Sequence, residues 1–455
     1  TCFGFHVSPS GSMRDMLHYN DTDTDDSWDA IWESKSAINN DGWTIEMKIP
    51  LSQLRYSPSE EEQVWGLNFY RRTARYGEES FWAPILMESK GFVSQFGILK
   101  GIILPKQNRR IEVLPYISST DKLEPGDSKN PYWSKHQIIG NMGVDFKIGL
   151  GSNFTLTGTI NPDFGQVEAD PADLNLSAFE TFFEERRPFF LESTDIFQFG
   201  KTRAFRAGSP SIFYSRRIGR NPRGSIVDNS EYEDYPSQTK IISALKFSGK
   251  TNSGLSVGIL DAITAKENAK YRDSTNTETF QAVEPFANSL VLRLKQDLKD
   301  GKIIFGGFLT NKQQVLNTNY LKSSFVSKAN VMGVDFEYAL PDPAWVVSGY
   351  TATSTLLGAE KIVSEIQRNS AHYFQRPDDK IALDTTKTQL DGTSSELSLT
   401  KISGKNIKGS FTYRKISPGY DINELGYIRS ANTKQLKSYI EYEAVSYTHL
   451  RAHET

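Results

Sequence analysis

The stretch NMGVDFKIGL (141–150) returns later in the chain as VMGVDFEYAL (331–340), and the reading of this phrase decides the fold. Successive side chains of a strand point to opposite faces. In the first copy Val144, Phe146, Ile148 and Leu150 therefore share one face, and Gly143, Asp145, Lys147 and Gly149 share the other. The second copy sets Val334, Phe336, Tyr338 and Leu340 against Gly333, Asp335, Glu337 and Ala339. One face is greasy; the opposite face is small or charged. Elsewhere Leu290, Leu292 and Leu294 alternate with Val291, Arg293 and Lys295, and Phe411 and Tyr413 alternate with Thr412 and Arg414.

Twelve such segments lie near 109–119, 138–149, 152–161, 238–249, 254–264, 287–298, 302–310, 329–340, 345–353, 394–403, 407–416 and 435–445. Most have the ten or so residues that a tilted membrane crossing needs. Tight links at 149–152, 248–254, 295–302, 340–344 and 403–409 take turns with long polar connections, roughly 120–137, 264–286, 311–328 and 354–393. That is the plan of an outer-membrane barrel, with short periplasmic turns and long outer loops. A soluble β-sandwich or propeller also alternates along its strands. Its strands, however, average five or six residues, and its loops need not alternate in length.

Composition narrows the rest. A net charge of −3 over 455 residues gives no global field to attract nucleic acid, so none is expected as a partner. The single cysteine, Cys2, permits no internal disulfide. No apolar run is long enough for a membrane helix, which leaves a barrel untouched. Five of the seven tryptophans (Trp28, Trp32, Trp43, Trp65, Trp82) fall in the first hundred residues. There WDAIWES, GWTIEMKIP and VWGLNFYRRTA read as short strands, with LSQLRY as a single helical turn. The expected fold class is all-β: a partial β-sandwich over 1–104, then an antiparallel up-and-down barrel over 105–445 carrying one helical or plug insert at 161–237. The tail SYTHLRAHET (446–455) resembles a translated adapter and is set aside, and the chain is read as a fragment cut at both ends.

The insert opens with INPDFGQVEADPADLNLSAFETFFEERRPFFLES (160–193). Its spacing predicts a helix from Asp170 or Pro171 to Glu185, ended by Arg186, Arg187 and Pro188. Leaving the outer end of the third strand, it could fold back into the lumen as a plug. Its carboxylates Asp163, Glu168, Asp170, Glu180, Glu184 and Glu185 stand near Arg186, Arg187, Arg216, Arg217 and Arg220. Two of them at a suitable separation would serve glycoside hydrolysis. The plainer reading is a structural ion-pair network in a polar lumen, with ligand gating as a third.

In the N-terminal block Trp28, Trp32 and Trp82, with Arg71 and Arg72, are candidates for sugar contact, since flat aromatic faces and planar polar groups suit sugars. Core packing and contact with the barrel compete for the same tryptophans. Asp21, Asp23 and Asp25 alternate in NDTDTDD (20–26) and could converge on Ca²⁺, though without the glycine and glutamate of an EF-hand loop. A solvated acidic loop is the competing reading. No HExxH, P-loop or Rossmann pattern occurs, and no cofactor is expected beyond Ca²⁺.

The insert motif NPDFGQVEADPADLNLSAFETFFEERRPFFLE, with FYSRRIGR (213–220) and SPGYDINELGY (417–427), closely resembles the domain of unknown function 5916 family, over roughly 105–445. FGFHVSPSGSMRD, GWTIEMKIPLSQLRY and VWGLNFYRR resemble the second half of a family 9 carbohydrate-binding-like domain. Together these resemblances imply a periplasmic sugar-binding sandwich tethered to a barrel in the outer membrane of a Gram-negative bacterium. Its partners would be a glycan or oligosaccharide and the lipid bilayer. Such modules accompany glycoside hydrolases, so an enzyme acting on O-glycosyl bonds is the runner-up, and a structural or assembly protein the third reading.

Overall fold

The computed structural model describes residues 2–19, 21–25, 28, 30, 32–40, 42–54, 56, 62–85, 91–103, 111–123, 126, 129–151, 153–163, 176, 180–200, 211–226, 232–272, 277–299, 301–342, 344–376, 381–402 and 407–442, and it is of these that the fold is built. Twelve antiparallel strands form one sheet: β1 (Ile111–Lys122), β2 (Gln137–Leu150), β3 (Phe154–Ile160), β4 (Ile241–Lys250), β5 (Leu255–Thr264), β6 (Ala287–Leu298), β7 (Ile303–Gln314), β8 (Val326–Ala339), β9 (Trp345–Gly358), β10 (Gln389–Lys401), β11 (Ile407–Ile416) and β12 (Thr433–Tyr442). Each pairs only with its neighbours in sequence within the sheet, the order of an up-and-down barrel. β1 and β12 remain its two edges and do not pair with each other among the described strands, so the cylinder is not closed.

Every strand read from alternation is present. β7 to β10 run three to five residues further toward the long connections than their apolar stretch predicts, to Gln314, from Val326, to Gly358 and from Gln389. The ladder continues there through polar residues such as Asn311, Gln313 and Lys328. Hydrogen bonding does not stop where the greasy band stops, and that is why the polarity signal ended early. The long connections carry structure of their own. Between β5 and β6 lies a hairpin (Glu267–Arg272 and Glu278–Glu284) that also pairs with Glu233–Asp234; after β7 and β9 come the helices Asn319–Ser324 and Glu360–Arg368.

The sheet is inverted relative to a soluble one. Val334, exposed at 57%, and Phe336, Tyr338, Leu397, Leu399, Phe411 and Tyr413 face out, as their alternation requires. Lys246, Arg293, Lys312, Glu337 and Glu396 face in and are buried. Soluble proteins bury aliphatic side chains and almost never bury unpaired charge. This sheet does the reverse.

Among the described residues the N-terminal block forms four small antiparallel sheets: Cys2–Val7, Met13–Tyr19 and Asp23–Asp25; Glu33–Asn39 with Gly42–Lys48; Gln63–Leu67 with Gly97–Ile102; and Tyr70–Thr73 with Glu78–Phe81. Leu51–Gln53 forms the expected single turn. Of WDAIWES, the described residues Trp28, Ala30 and Trp32 are not strand, and described pairing begins at Glu33, where the hairpin with Gly42–Lys48 starts.

Candidate functional site

The inner, lumenal face of the sheet is covered by the described parts of two long connections that leave the same end of the sheet, one between β3 and β4 and one between β11 and β12. The wall was cut to receive them. Gly258 faces inward on β5, where a Cβ would stand 2.8 Å from Ile196 and 3.0 Å from Phe197; on β8 a Cβ at Gly333 would stand 2.6 Å from Phe199. Those aromatics join Phe190, Ile212, Ile218, Leu260, Val291, Phe308, Tyr350, Tyr420, Ile422 and Leu425 in one buried cluster drawn from wall and filling alike.

Charge holds the filling at its margins. Buried Lys246 of β4 donates to the carbonyls of Phe189 and Glu192, and Lys147 of β2 pairs with the Glu192 carboxylate. Arg293 of β6 forks Asp335 of β8 at 2.7 and 2.8 Å, and Gly200 N donates to the same carboxylate at 2.9 Å. Gly306 on the intervening strand leaves the space, since a Cβ there would lie 2.7 Å from Arg293 Nη1 and 2.9 Å from Asp335 Oδ1.

Inside the insert, Arg187 forks Glu185 at 2.8 and 2.7 Å and donates to the carbonyls of Ile218 and Ser215, while Ser215 Oγ donates to Glu185. Burial alone would push the Glu185 carboxyl up; the donors of Arg187 and Ser215 outweigh it and hold it below the usual range. Arg217, buried, forks Glu180 at 2.7 Å on both oxygens and donates to the Gly426 carbonyl, joining the two lumenal segments. Arg216 donates to the Glu184 carbonyl, and Tyr427 Oη to the Glu180 carbonyl.

A second knot forms around Glu424, which accepts from Arg223 at 2.6 Å and Lys312 at 2.9 Å; Arg223 also reaches Glu284 at 3.2 Å. Burial pushes the Glu424 carboxyl up, but the cations around it hold it well below its ordinary value. At the third anchor His372 Nε2 lies 2.8 Å from Asp421 Oδ2 and Nδ1 lies 2.8 Å from the Pro418 carbonyl. Both partners are acceptors, so both ring nitrogens carry protons. Burial lowers the imidazole, yet the hydrogen bond and charge of Asp421 and the Pro418 carbonyl raise it above the ordinary histidine value.

The expected helix from Asp170 or Pro171 to Glu185 is not found where it can be checked. Glu180–Arg187 is irregular, and the helix lies after the arginines, at Pro188–Leu191. Pro188 starts that turn instead of ending one, as proline does at a first helical position. Residues 180–187 give their side chains and backbone to Tyr214, Ser215, Arg216 and Arg217, contacts a helix could not have offered together. Of the predicted network, Glu180, Glu184, Arg186, Arg187, Arg216 and Arg217 gather here, and Asp163 stays at the insert's start, where it accepts from Ser118. Glu168 and Asp170 lie outside the described residues.

In the N-terminal block Trp32 is buried and Trp28 half-buried, both packed on Phe5, with Trp28 also on Phe3. Trp82 is 63% exposed, edge-on to Phe69. Arg71 and Arg72 are exposed, and the Arg71 guanidinium stands 6.0 Å over Trp43. Asp21 accepts from the Ser94 amide and hydroxyl at 2.7 and 2.8 Å. The side chains of Asp23 and Asp25 lie outside the described residues, and no group of metal-ligating side chains occurs among the described ones.

Sequence reasoning missed Arg293, Asp335, Arg223, Glu284, Lys312, Glu424, His372 and Asp421 as lumenal anchors. A signal existed: SPGYDINELGY carries Asp421 and Glu424 in a connection far richer in motif than a loop needs.

Comparison with curated proteins gives no match. Similar solved structures include OmpT, an outer membrane protein of Vibrio cholerae, at 10% identity over 75% of this chain and 100% of that one, TM-score 0.29. The outer membrane channel DcaP of Acinetobacter baumannii is similar at 10% identity over 74% and 98%, TM-score 0.27, and Pseudomonas putida OprB at 9% over 74% and 72%, TM-score 0.28. Scores this low leave the functional reading to the chain's own geometry. The model of one family matches residues 108–452, which takes in the whole twelve-stranded sheet and its filling but not the N-terminal block, and the chain belongs to that family, the Domain of unknown function (DUF5916).

Proposed function

We propose that the chain is an outer-membrane β-barrel protein of the cell envelope whose lumen is stoppered by its own long connections. One observation carries this reading: the inverted polarity of the sheet, with aliphatic and aromatic rows exposed and lysine, arginine and glutamate buried. Water would not tolerate that outer surface as a monomer's, whereas hydrocarbon requires it. β1 starts at the end that carries the short turns, which in such barrels is periplasmic, and this supports an N-terminal block on the periplasmic side. Expressed in a Gram-negative host, the full-length protein should sediment with outer membranes and migrate faster on gels when unboiled. Recovery as a soluble periplasmic protein would overturn the reading.

Glycan handling by the N-terminal block is the second reading, supported by Trp82 and Phe69. Their rings are 6.1 Å apart, each 63% exposed, and flank the hairpin bearing Arg71 and Arg72. An exposed aromatic pair beside planar cations is what a sugar face and its hydroxyls would meet. Trp28 and Trp32 contribute to its core instead. A glycan array should show binding that Trp82→Ala abolishes; silence of the unaltered protein refutes it. Hydrolysis of O-glycosyl bonds has less support, because the carboxylates of Glu180 and Glu185 are already held by arginine forks.

A further inference from the structure

Where the insert meets β5, β6 and β7 a cavity of about 10 Å³ remains, lined by Arg217, Arg220, Thr239, Glu284, Ser289 and Lys312 among others. A hole of that size holds one small sphere. Its donors are unspent. Thr239 is 5% exposed and its hydroxyl has no hydrogen-bond partner among the described residues; neither has Nε of Arg220. The charges around it do not cancel. Arg217 is matched by Glu180, but among the described residues Arg220, Arg223 and Lys312 pair only with Glu284 and Glu424. Arg223 and Lys312 hold Glu424 at 2.6 and 2.9 Å and Arg223 also takes Glu284, whereas Arg220 reaches Glu424 at 3.5 Å alone.

We propose that this cavity is a binding site for a small monovalent anion of the halide class, seated between the Arg220 guanidinium, the Thr239 hydroxyl and the Lys312 ammonium. Water could satisfy the donors but would leave one buried positive charge, and an uncompensated buried ion is destabilising. A carboxylate or phosphate is too large for the space. Glu284 lines the cavity too, but its oxygens accept from the amide and guanidinium of Arg223 and face a cation already. Consistent with a missing counter-charge, burial and then the like charge of Arg223 push the Arg220 guanidinium down to about 9. The site needs only the buried cluster and holds whether or not the protein moves any solute.

The test uses the full chain in detergent, with sodium chloride, bromide and gluconate at equal ionic strength. Halides should raise the heat-unfolding midpoint saturably over gluconate, which cannot enter. Crystals grown in bromide should show a bromine anomalous peak in the cavity. Thr239→Val should weaken the halide dependence about tenfold, as loss of one hydrogen bond to an ion implies, while Thr239→Ser keeps it. Identical midpoints in the three salts, or a cavity holding ordered water and no anomalous peak, would overturn the proposal. Should Thr239→Val fail to fold, the anomalous peak of the unaltered protein decides alone.

Discussion

Asp335→Asn should be the most damaging isosteric change in the wall. The Asp335 carboxylate accepts three hydrogen bonds, from both terminal nitrogens of Arg293 at 2.7 and 2.8 Å and from Gly200 N at 2.9 Å. The Arg293 side chain is 2% exposed and that of Asp335 13%, so solvent screens the pair little. Nor can Arg293 turn elsewhere: the rings of Phe199 and Phe308 flank it at 5.7 and 5.9 Å, and its Nε has no partner among the described residues. The amide keeps the shape and loses the charge, stranding a buried guanidinium. Breaking one side of a buried pair costs about 3–5 kcal/mol, whereas replacing both sides with apolar residues of similar volume is often neutral. Urea unfolding in lipid vesicles, followed by the mobility shift of the unboiled protein, should therefore show that loss for Asp335→Asn and recover most of it in the Arg293→Met/Asp335→Leu double variant. Gly306→Ala, which drives a methyl into the bridge, should fall between them at about 1–3 kcal/mol. A loss below about 1 kcal/mol for Asp335→Asn, or a double variant as unstable as the single, refutes the reasoning.

Val334→Arg places a charge on the exposed face and should cost about 2–4 kcal/mol in vesicles if it sits near the bilayer midplane; a change within about 0.5 kcal/mol would mark that face as water-exposed. Gly258→Leu should displace Phe197 and Ile196 from the wall and raise single-channel conductance in planar bilayers, and an unchanged trace would show that the filling does not seal the lumen. His372 is raised above its ordinary 6.5 in the folded state, so its stabilisation is complete below that value and is lost as pH climbs through the folded pKa. The unfolding midpoint should fall on the alkaline side for the unaltered protein and stay flat for His372→Gln; parallel curves would remove the imidazolium clasp.

The sheet was legible because a two-residue period and a short/long rhythm of links are local properties. Twelve segments could be read one at a time, and none depended on knowing its neighbour. The lumen was legible only in kind. A polar insert beside arginines announces an ion-pair network, but which carboxylate meets which cation depends on register across the wall. Arg293 and Asp335 are two strands apart in the sheet, and Arg217 meets a carbonyl of Gly426 from the other end of the chain. The tryptophans of the N-terminal block show the same limit: sequence shows that Trp28, Trp32 and Trp82 fall in one aromatic-rich block, not that Phe3 and Phe5 pack on the first two and leave the third outside.

The repeated phrase shows how far one local solution can serve two places. In each copy the phenylalanine faces out directly opposite a glycine of the next strand, Phe146 against Gly158 and Phe336 against Gly349. A Cβ on Gly158 would strike the Phe146 ring, and one on Gly349 would press on the Phe336 ring at 3.2 Å. The ring covers bare strand backbone, a use of aromatics beside strand glycines that any exposed sheet can exploit and that the proposed lipid contact would require. On the inner face the glycine of each copy admits a piece of the insert. Gly143 makes room for Tyr116 and the carbonyl of Asn161, where the insert departs, and Gly333 makes room for Phe199, where it settles. The aspartates then diverge. Asp335 is taken by Arg293 and Gly200, while Oδ1 of Asp145 is buried with no partner among the described residues. What the phrase encodes twice is therefore a surface, greasy and glycine-shielding outside, recessed within, and the chemistry of its aspartate is left to whatever the lumen brings against it.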